Sequence, residues 1–342
     1  MKYLLYIAIM ALPILFASNT TTVQEPDNFQ MTEDTPVWQV LEKLGEPMPN
    51  HVVNTSIKGV SVERGRELVM YGITTKTNGR KVKKQSKHFV CTSCHNVERE
   101  DPDLTKSDPE KRLKYVAEKG LPFLQGTTFW GAVNRTSFYN GDYDKKYGDL
   151  VLPARNNLRE AIKLCAVECA QGRTLKDWEL ESVLAYLWSL ELKMGDLNIP
   201  AQELNNIGKV VASNKKENRL ANYIKKQYLS ASPAHFIDAP ADRKNVPLIG
   251  DPINGELVYQ MSCQHCHANS RYSFFELDNG ITTFKFLDKH ASDYTRYSIY
   301  QVARYGTSPM NGKRAYMPLY PLEKMSKQQM ADLRAYIKLQ SS

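Results

Sequence analysis

The pattern Cys-x-x-Cys-His occurs twice in this 342-residue chain, as Cys91–His95 and as Cys263–His267. The two copies use four of the six cysteines. A zinc ribbon pairs two Cys-x-x-Cys units at a spacing of about 15–20 residues, and the copies here stand much further apart. A redox-active dithiol or a disulfide does not require a histidine directly after the second cysteine. The histidine after the second cysteine of both copies therefore distinguishes these motifs from zinc, dithiol and disulfide sites.

Cys-x-x-Cys-His is the sequence signal for covalent attachment of c-type haem. Each cysteine adds across one vinyl group of the porphyrin to form a thioether, and the adjacent histidine becomes the proximal ligand of the iron. The sequence thus predicts two covalently bound haem c groups as cofactors. Haem 1 is assigned to Cys91, Cys94 and His95, and haem 2 to Cys263, Cys266 and His267.

The N-terminus has the layout of a secretory signal. Met1 and Lys2 form a short positive region, residues 3–16 are apolar, and residues 17–19 turn polar. The apolar run is too short to cross a bilayer comfortably. We predict a signal peptide over residues 1–18 and a periplasmic location; an uncleaved signal would instead anchor the chain to the membrane. Export agrees with the motifs, because c-type haem is attached outside the cytoplasm.

The surroundings of the two motifs also repeat. The sequence GRELV at 65–69 is similar to GELV at 255–258, and Ala-Tyr-Leu at 185–187 is similar to Ala-Tyr-Ile at 335–337. Each motif thus stands between two similar segments, which indicates a duplicated domain. Apolar residues at helical spacing predict amphipathic helices in these segments. The predicted bounds are residues 60–71 with Ser61 as N-cap, 175–192, and 326–339 with Ser326 as N-cap.

These patterns predict an all-α chain with two similar domains joined by a linker. Residues between the domains contain a lysine-rich helical piece followed by Pro- and Ala-rich coil. The predicted organisation is a signal peptide at 1–18, an extended leader at 19–50, domain 1 with haem 1 at 51–195, a linker at 196–250, and domain 2 with haem 2 at 251–342.

Both domains resemble class I cytochrome c domains in their order of helix, motif and terminal helix. The resemblance implies a small all-α fold in which the N- and C-terminal helices cross and a loop supplies the sixth ligand of the iron. For haem 2 the matching residue is Met317, which precedes Pro318 and the terminal helix. Met310 is its rival, and Lys313 and His290 are outside candidates.

Domain 1 has no methionine between His95 and its terminal helix. Over residues 62–190 it resembles the thiosulfate dehydrogenase family, dihaem cytochromes whose first haem has a His/Cys ligand pair. The most similar segments are 129–139 and 158–175. The resemblance implies that Cys165 is both an iron ligand and a candidate catalytic residue. Cys169 is the other candidate, and a disulfide between the two or a persulfide on one of them is an alternative.

That family forms tetrathionate from thiosulfate, a dianion, so positive side chains are expected near haem 1. Arg135, Lys163 and Arg173 are the candidates. The chain departs from the family pattern at two arginine positions, which hold Ala161 and Glu168 here, and it replaces an Asn-Gly pair with Gln-Gly. Because of these departures, we expect this chain to share the fold and the iron ligands of the family more than its substrate.

The predicted function is electron transfer by an exported dihaem c-type cytochrome, coupled to thiosulfate or tetrathionate chemistry at haem 1 with haem 2 as the electron exit. The alternatives are an electron wire without substrate chemistry and a sulfur-carrier cytochrome subunit. The expected partners are a soluble or membrane-bound redox protein and a small anionic sulfur compound. The net charge of +8 is spread along an exported chain, which disfavours nucleic acid. The basic segment 76–87 either steers an acidic partner or is a solvated loop.

Overall fold

The computed structural model describes residues 29–295, 297–307 and 317–342. These residues fold mainly into helices, and their strand pairings are isolated bridges such as Thr75 with Lys81. The expected all-α class is therefore confirmed. The α-helices are α1 Val37–Lys43, α2 Val62–Tyr71, α3 Pro109–Lys119, α4 Asp144–Tyr147, α5 Leu158–Leu164, α6 Asp177–Trp188, α7 Ala201–Ala212, α8 Asn218–Lys225, α9 Pro252–Val258, α10 Gln264–His267, α11 Ile281–Ala291, α12 Ile299–Tyr305 and α13 Lys327–Gln340.

Two helix pairs cross at a glycine, and they correspond to the repeat seen in the sequence. Helix α2 packs on α6 so closely that a Cβ on Gly65 would lie 1.8 Å from the carbonyl oxygen of Ser182. Helix α9 packs on α13 in the same way, and a Cβ on Gly255 would lie 2.0 Å from the carbonyl oxygen of Asp332. In both pairs the partner helix also places a tyrosine, one turn after that carbonyl, beside the glycine. Glycine is therefore required at both crossings, since any side chain would push the helices apart.

The predicted caps of two of these helices are confirmed. The hydroxyl of Ser61 accepts a hydrogen bond from the backbone N–H of Arg64 at 3.5 Å. The hydroxyl of Ser326 accepts one from Gln329 at 3.0 Å, and the Gln329 side chain accepts one from Ser326 N–H at 2.9 Å. This reciprocal capping box satisfies two backbone donors at the start of α13.

Among the described residues, most of the buried apolar side chains fall into three clusters. The first lies among α2, α5 and α6, and includes Leu68, Leu164 and Leu184. The second lies among α3, α9, α11, α12 and α13. The third lies among α1, α7 and α8. Each of the first two clusters contains one crossed helix pair, so each repeat has its own core.

The third cluster differs from the expected leader and linker. Helix α1 falls in the segment expected to be an extended leader, and Val37, Val40 and Leu41 on it are fully buried. Helices α7 and α8 fall in the expected linker and bury Ile207 and Ile224 against α1. This cluster was not predictable from local sequence, because α1 is only two turns long and its apolar partners lie far along the chain. The signal peptide lies outside the described residues.

The first half of the chain also contributes to the second core. Helix α3 belongs to the segment expected as domain 1, yet Leu113 and Val116 on it are buried in the second cluster. The following loop continues the contact, because Phe123 N–H donates to the carbonyl of Met261 at 2.8 Å. The hydroxyl of Tyr320 donates to the carbonyl of Phe123 at 3.1 Å. Helix α3 and the loop after it therefore belong to the second core, although they come from the first half of the chain.

Within the described part of the chain, every helix is too short or too polar to cross a bilayer.

Candidate functional site

The first Cys-x-x-Cys-His motif forms a tight turn with a fixed histidine. Residues Cys91–Ser93 form one turn of 3₁₀-helix, and the Ser93 hydroxyl accepts a hydrogen bond from Val90 N–H at 3.1 Å. The Nδ1 atom of His95 is hydrogen-bonded to the carbonyl of Thr127 at 2.7 Å. The imidazole also stacks on Phe129, with 4.5 Å between ring centroids. The ring orientation is thus set by one polar contact and one apolar contact.

The second motif also holds its histidine in a fixed orientation, but its backbone conformation is different. A π-helical turn at Tyr259–Cys263 leads into the short helix α10, which ends at His267. The Nδ1 atom of His267 is hydrogen-bonded to the carbonyl of Phe275 at 2.6 Å. A carbonyl accepts only from a protonated nitrogen, so in both motifs Nδ1 carries the proton and Nε2 has a free lone pair.

The chemistry of the two motifs fits a c-type haem. Burial lowers the pKa of His95 and of His267, which keeps both rings in the neutral form that binds iron. All four motif cysteines are free rather than paired in disulfides. Burial raises the pKa of Cys91 to about 11, that of Cys263 to about 11 and that of Cys266 to about 12. Each motif therefore presents two protonated thiols and one oriented imidazole nitrogen.

The two motifs contact each other through half-buried residues. The side chain of His265, between the cysteines of the second motif, lies against the backbone of Thr92, between the cysteines of the first. Cys94 and Cys266 are also near enough for their charges to interact. Burial lowers the pKa of His265 to about 4, so this ring is neutral in the contact. The structure therefore places the two Cys-x-x-Cys-His turns side by side, which their separation in the sequence did not indicate.

The other two cysteines lie on a widened helical turn. Asn157 caps α5 by accepting from the N–H groups of Arg159 and Glu160. The helix then opens into a π-turn at Cys165–Cys169, where Ala170 N–H donates to the carbonyl of Cys165 at 2.8 Å. Such π-turns occur frequently at functional sites. Cys165 lies near enough to Cys91 and Cys94 for their charges to interact, so this turn faces the first motif.

The sulfur of Cys169 has several polar partners. The hydroxyl of Tyr147 lies 3.3 Å from it and that of Tyr139 lies 3.5 Å from it. The thiols of Cys165 and Cys169 are hydrogen-bonded to each other, and both are free. This hydrogen bond lowers the pKa of Cys169 against the opposing effect of burial, and Tyr139, Tyr147 and Lys146 act in the same direction. The same hydrogen bond and burial raise the pKa of Cys165.

The three cations expected around a sulfur dianion have other partners. Arg173 forms an ion pair with the fully buried Glu179 at 2.6 Å and donates to the carbonyl of Lys83. Lys163 pairs with Glu160 at 2.8 Å on the surface of α5. Arg135 donates to the carbonyl of Thr128 at 3.2 Å, and its charge acts on His95. The structure thus does not bring these three cations to the two cysteines.

Tyr139, Tyr143, Tyr147 and Lys146 surround Cys169, although they belong to no motif in the sequence. Tyr139, Tyr143 and Tyr147 contact one another edge-on or stacked, and Phe236 packs against Tyr143. The three tyrosines recur at every fourth position. That spacing is the signal that would have placed them on one face of a helical segment.

The basic hairpin, residues 74–88, is fixed onto the cysteine turn. The Gln85 side chain donates to the carbonyls of Ala166 and Arg173 at 2.9 and 3.0 Å. The Ser86 hydroxyl donates to the carbonyl of Ala170 at 2.6 Å. The lysines and the arginine of the hairpin are exposed. A surface of positive charge therefore lies next to the segment that holds Cys165 and Cys169.

The structure describes two of the four candidates for the sixth ligand of haem 2. Met317 is tied by its backbone, which accepts from Thr307 N–H at 2.9 Å and donates to the Thr307 hydroxyl at 2.8 Å. His290 contacts the rings of Phe286 and Tyr297. Phe286 in turn contacts Phe275, the residue whose carbonyl holds His267. Met310 and Lys313 lie outside the described residues.

Within the described ranges, no group of three or more His, Cys, Asp or Glu side chains is placed so that it could hold a metal ion by itself. Comparisons of the chain with protein-family models, with curated proteins and with solved structures give no match.

Proposed function

We propose that this protein is an exported dihaem c-type cytochrome that transfers electrons. The observation that carries the proposal is that both halves of the chain contain the same arrangement of side chains and helices. In each half, a Cys-x-x-Cys-His turn has free cysteines and a histidine whose Nδ1 is held by a backbone carbonyl, and it accompanies a helix pair crossed at a glycine. The test is the haem content of the purified protein, for which a pyridine haemochrome assay should give two covalent haems per chain.

The residues have distinct tasks in this proposal. The cysteine pairs would tether the porphyrin, and His95 and His267 would each offer Nε2 to the iron, because Nδ1 is engaged by a carbonyl. Covalently bound haem supplies a site that gains and loses one electron. The contact between His265 and Thr92 brings the two attachment turns together, which supports direct exchange of electrons between the two sites.

The cysteine turn supports a second activity, redox chemistry of a small sulfur anion. Coupling two thiosulfate ions forms one sulfur–sulfur bond and releases two electrons, which matches a chain with two one-electron sites. Cys169 has hydroxyl donors from Tyr139 and Tyr147 and a nearby cation in Lys146, as an anionic sulfur group requires. This arrangement favours a sulfur compound over a pure electron wire, and it also suits the sulfur-carrier alternative.

Cys165 is proposed as the second iron ligand of haem 1. Tyr139 and Tyr147 already bond Cys169, whereas the hydrogen-bond partner of Cys165 is Cys169 itself. Binding to iron would favour the thiolate form of Cys165. We expect Cys165→Ala to remove the low-spin His/Cys signal from the electron paramagnetic resonance spectrum of the oxidised protein. Cys169→Ala should leave that signal in place, and the opposite result would exchange the two roles.

Turnover of sulfur compounds is a separate prediction. Thiosulfate should reduce ferricyanide through the protein, or tetrathionate should be reduced by a reduced dye. Tyr147→Phe should lower the rate roughly tenfold, because a hydrogen bond to a charged group contributes about 1.5–3 kcal/mol. Tyr115→Phe on α3 is the matched control and should have no effect. If neither direction shows turnover in a protein with two haems, electron transfer alone remains as the function.

The partner is proposed to be a soluble or membrane-bound redox protein with an acidic surface. The basic hairpin supports this choice, because residues 74–88 contain six Lys or Arg residues and no acidic residue. Charge of one sign raises the rate at which an oppositely charged partner associates. A periplasmic location is proposed from the secretory signal that the sequence predicts at 1–18.

A further inference from the structure

One peptide group connects the proximal histidine of the first site to a buried carboxylate. The carbonyl of Thr127 is hydrogen-bonded to His95 Nδ1 at 2.7 Å. The N–H of the same peptide group belongs to Thr128 and donates to Oε1 of Glu100 at 3.0 Å. The three groups therefore form a continuous chain of hydrogen bonds from the imidazole to the carboxylate.

Glu100 is fully buried and is held by charged and polar partners. Arg112 pairs with its Oε2 atom at 3.2 Å, and Lys324 pairs with its Oε1 atom at 2.9 Å. The amide of Asn96 also donates to Oε2 at 2.9 Å. Burial acts to raise the pKa of Glu100, but the charges of Arg112 and Lys324 hold it well below the usual range. The acceptor at the end of the chain is therefore a carboxylate with a full negative charge.

The proposed function makes this connection relevant to redox behaviour. We infer that Glu100 is a positioning residue for His95 which, through the Thr127–Thr128 peptide, lowers the reduction potential of the iron that His95 holds. A carboxylate that accepts the peptide N–H polarises the peptide and makes the Thr127 carbonyl a stronger acceptor. The imidazole then becomes a more basic ligand, which stabilises the oxidised iron. The inference rests on the proposed function, because it requires haem at the first motif.

The second site lacks this arrangement. His267 Nδ1 is held by the carbonyl of Phe275, and the N–H of that peptide group belongs to Glu276. In the part of the chain that the structure describes, no carboxylate accepts from this N–H. The two sites thus have the same hydrogen bond to histidine but differ in what lies behind it. Since Lys324 comes from the second half of the chain, both halves help to hold Glu100 in place.

Glu100→Gln tests the inference, because glutamine keeps the shape and an acceptor oxygen but removes the charge. In a redox titration that follows the two haems separately, the ratio of reduced to oxidised haem 1 at a fixed potential should rise roughly tenfold, while that of haem 2 stays the same. That change corresponds to about 59 mV for a one-electron couple. The Nδ1–H proton of His95 in the reduced, diamagnetic protein should also move upfield in the nuclear magnetic resonance spectrum. An unchanged ratio and an unchanged proton signal would overturn the inference.

The double variant Glu100→Gln/Lys324→Gln separates the hydrogen-bonded chain from general electrostatics. It removes one negative and one positive charge, so the net charge of the buried cluster stays the same. Most of the shift should persist in this variant, and a return to the wild-type ratio would contradict the route through the peptide. If the glutamine variants do not fold, Glu100→Asp keeps the charge while drawing the carboxylate back from Thr128 N–H. It should shift the ratio in the same direction, and an unchanged ratio would again be decisive against the inference.

The haem content of each variant is measured first. Fewer than two covalent haems in the wild-type protein would refute the proposed function itself. Two haems with an unaltered potential in the variants would leave the proposed function standing and refute only the role of Glu100.

Discussion

Replacing Cys263 and Cys266 by alanine is expected to lower the covalent haem content from two per chain to one. Each motif supplies its own pair of thiols, and Cys165 and Cys169 cannot replace the second pair, because they lie at the first site. The intact mass should fall by one haem, and the pyridine haemochrome absorbance per chain should fall by half. Mass spectrometry of the motif peptides gives the result even where the variant folds poorly.

Matched variants make this experiment specific. Cys91→Ala/Cys94→Ala should remove the other haem, and the remaining haem should then be found on the peptide that contains Cys263. Cys165→Ala/Cys169→Ala removes the same number of thiols but should retain both haems. A wild-type chain without covalent haem, or one whose haem content ignores both motif variants, would show that the dihaem assignment is wrong.

Gly65→Ala and Gly255→Ala are expected to destabilise the fold strongly. An added methyl group would lie 1.8 Å from the Ser182 carbonyl oxygen in one case and 2.0 Å from the Asp332 carbonyl oxygen in the other. Backbone atoms cannot rotate away, so the crossed helices must separate and lose packing along their whole contact. Overpacking of this kind costs about 3 kcal/mol at the upper end of its usual range. The free energy of unfolding in urea measures the effect.

Gly208→Ala is the matched control for these two variants. Gly208 lies inside helix α7, and the nearest atom to its added Cβ, in the Met31 side chain, would be 3.5 Å away. Alanine should therefore be accommodated, and its higher helix propensity should raise the free energy of unfolding by roughly 0.5–1 kcal/mol. If Gly65→Ala and Gly208→Ala had the same effect, the close helix crossing would be refuted.

Much of the helical framework was predictable from local sequence. Helices were predicted at 60–71, 175–192 and 326–339, and they form at Val62–Tyr71, Asp177–Trp188 and Lys327–Gln340. These segments bury one face against a partner helix, so their apolar residues recur with the helical period. The caps at Ser61 and Ser326 were predictable for a related reason, since capping involves residues only three positions apart.

Parts of the candidate site depend on contacts that local sequence does not record. Arg173 was expected to face a substrate, but it neutralises Glu179, whose carboxylate is fully buried and needs a cation. The roles of Tyr139 and Tyr147 depend on how the chain folds back over the cysteine turn at Cys165–Cys169. Glu100 appeared in no motif, because its connection to His95 passes through a backbone peptide some thirty residues away.

The sequence by itself determined the all-α class, the two Cys-x-x-Cys-His motifs and the duplicated order of helices around them. These features follow from covalent spacing and from periodicity within single segments. Only the tertiary structure decided that α1, α7 and α8 form a third cluster, that α3 packs in the second core, and that the two motifs touch through His265 and Thr92. Such contacts join residues far apart in the chain, and their free energy depends on shape and burial, which no short stretch of sequence specifies.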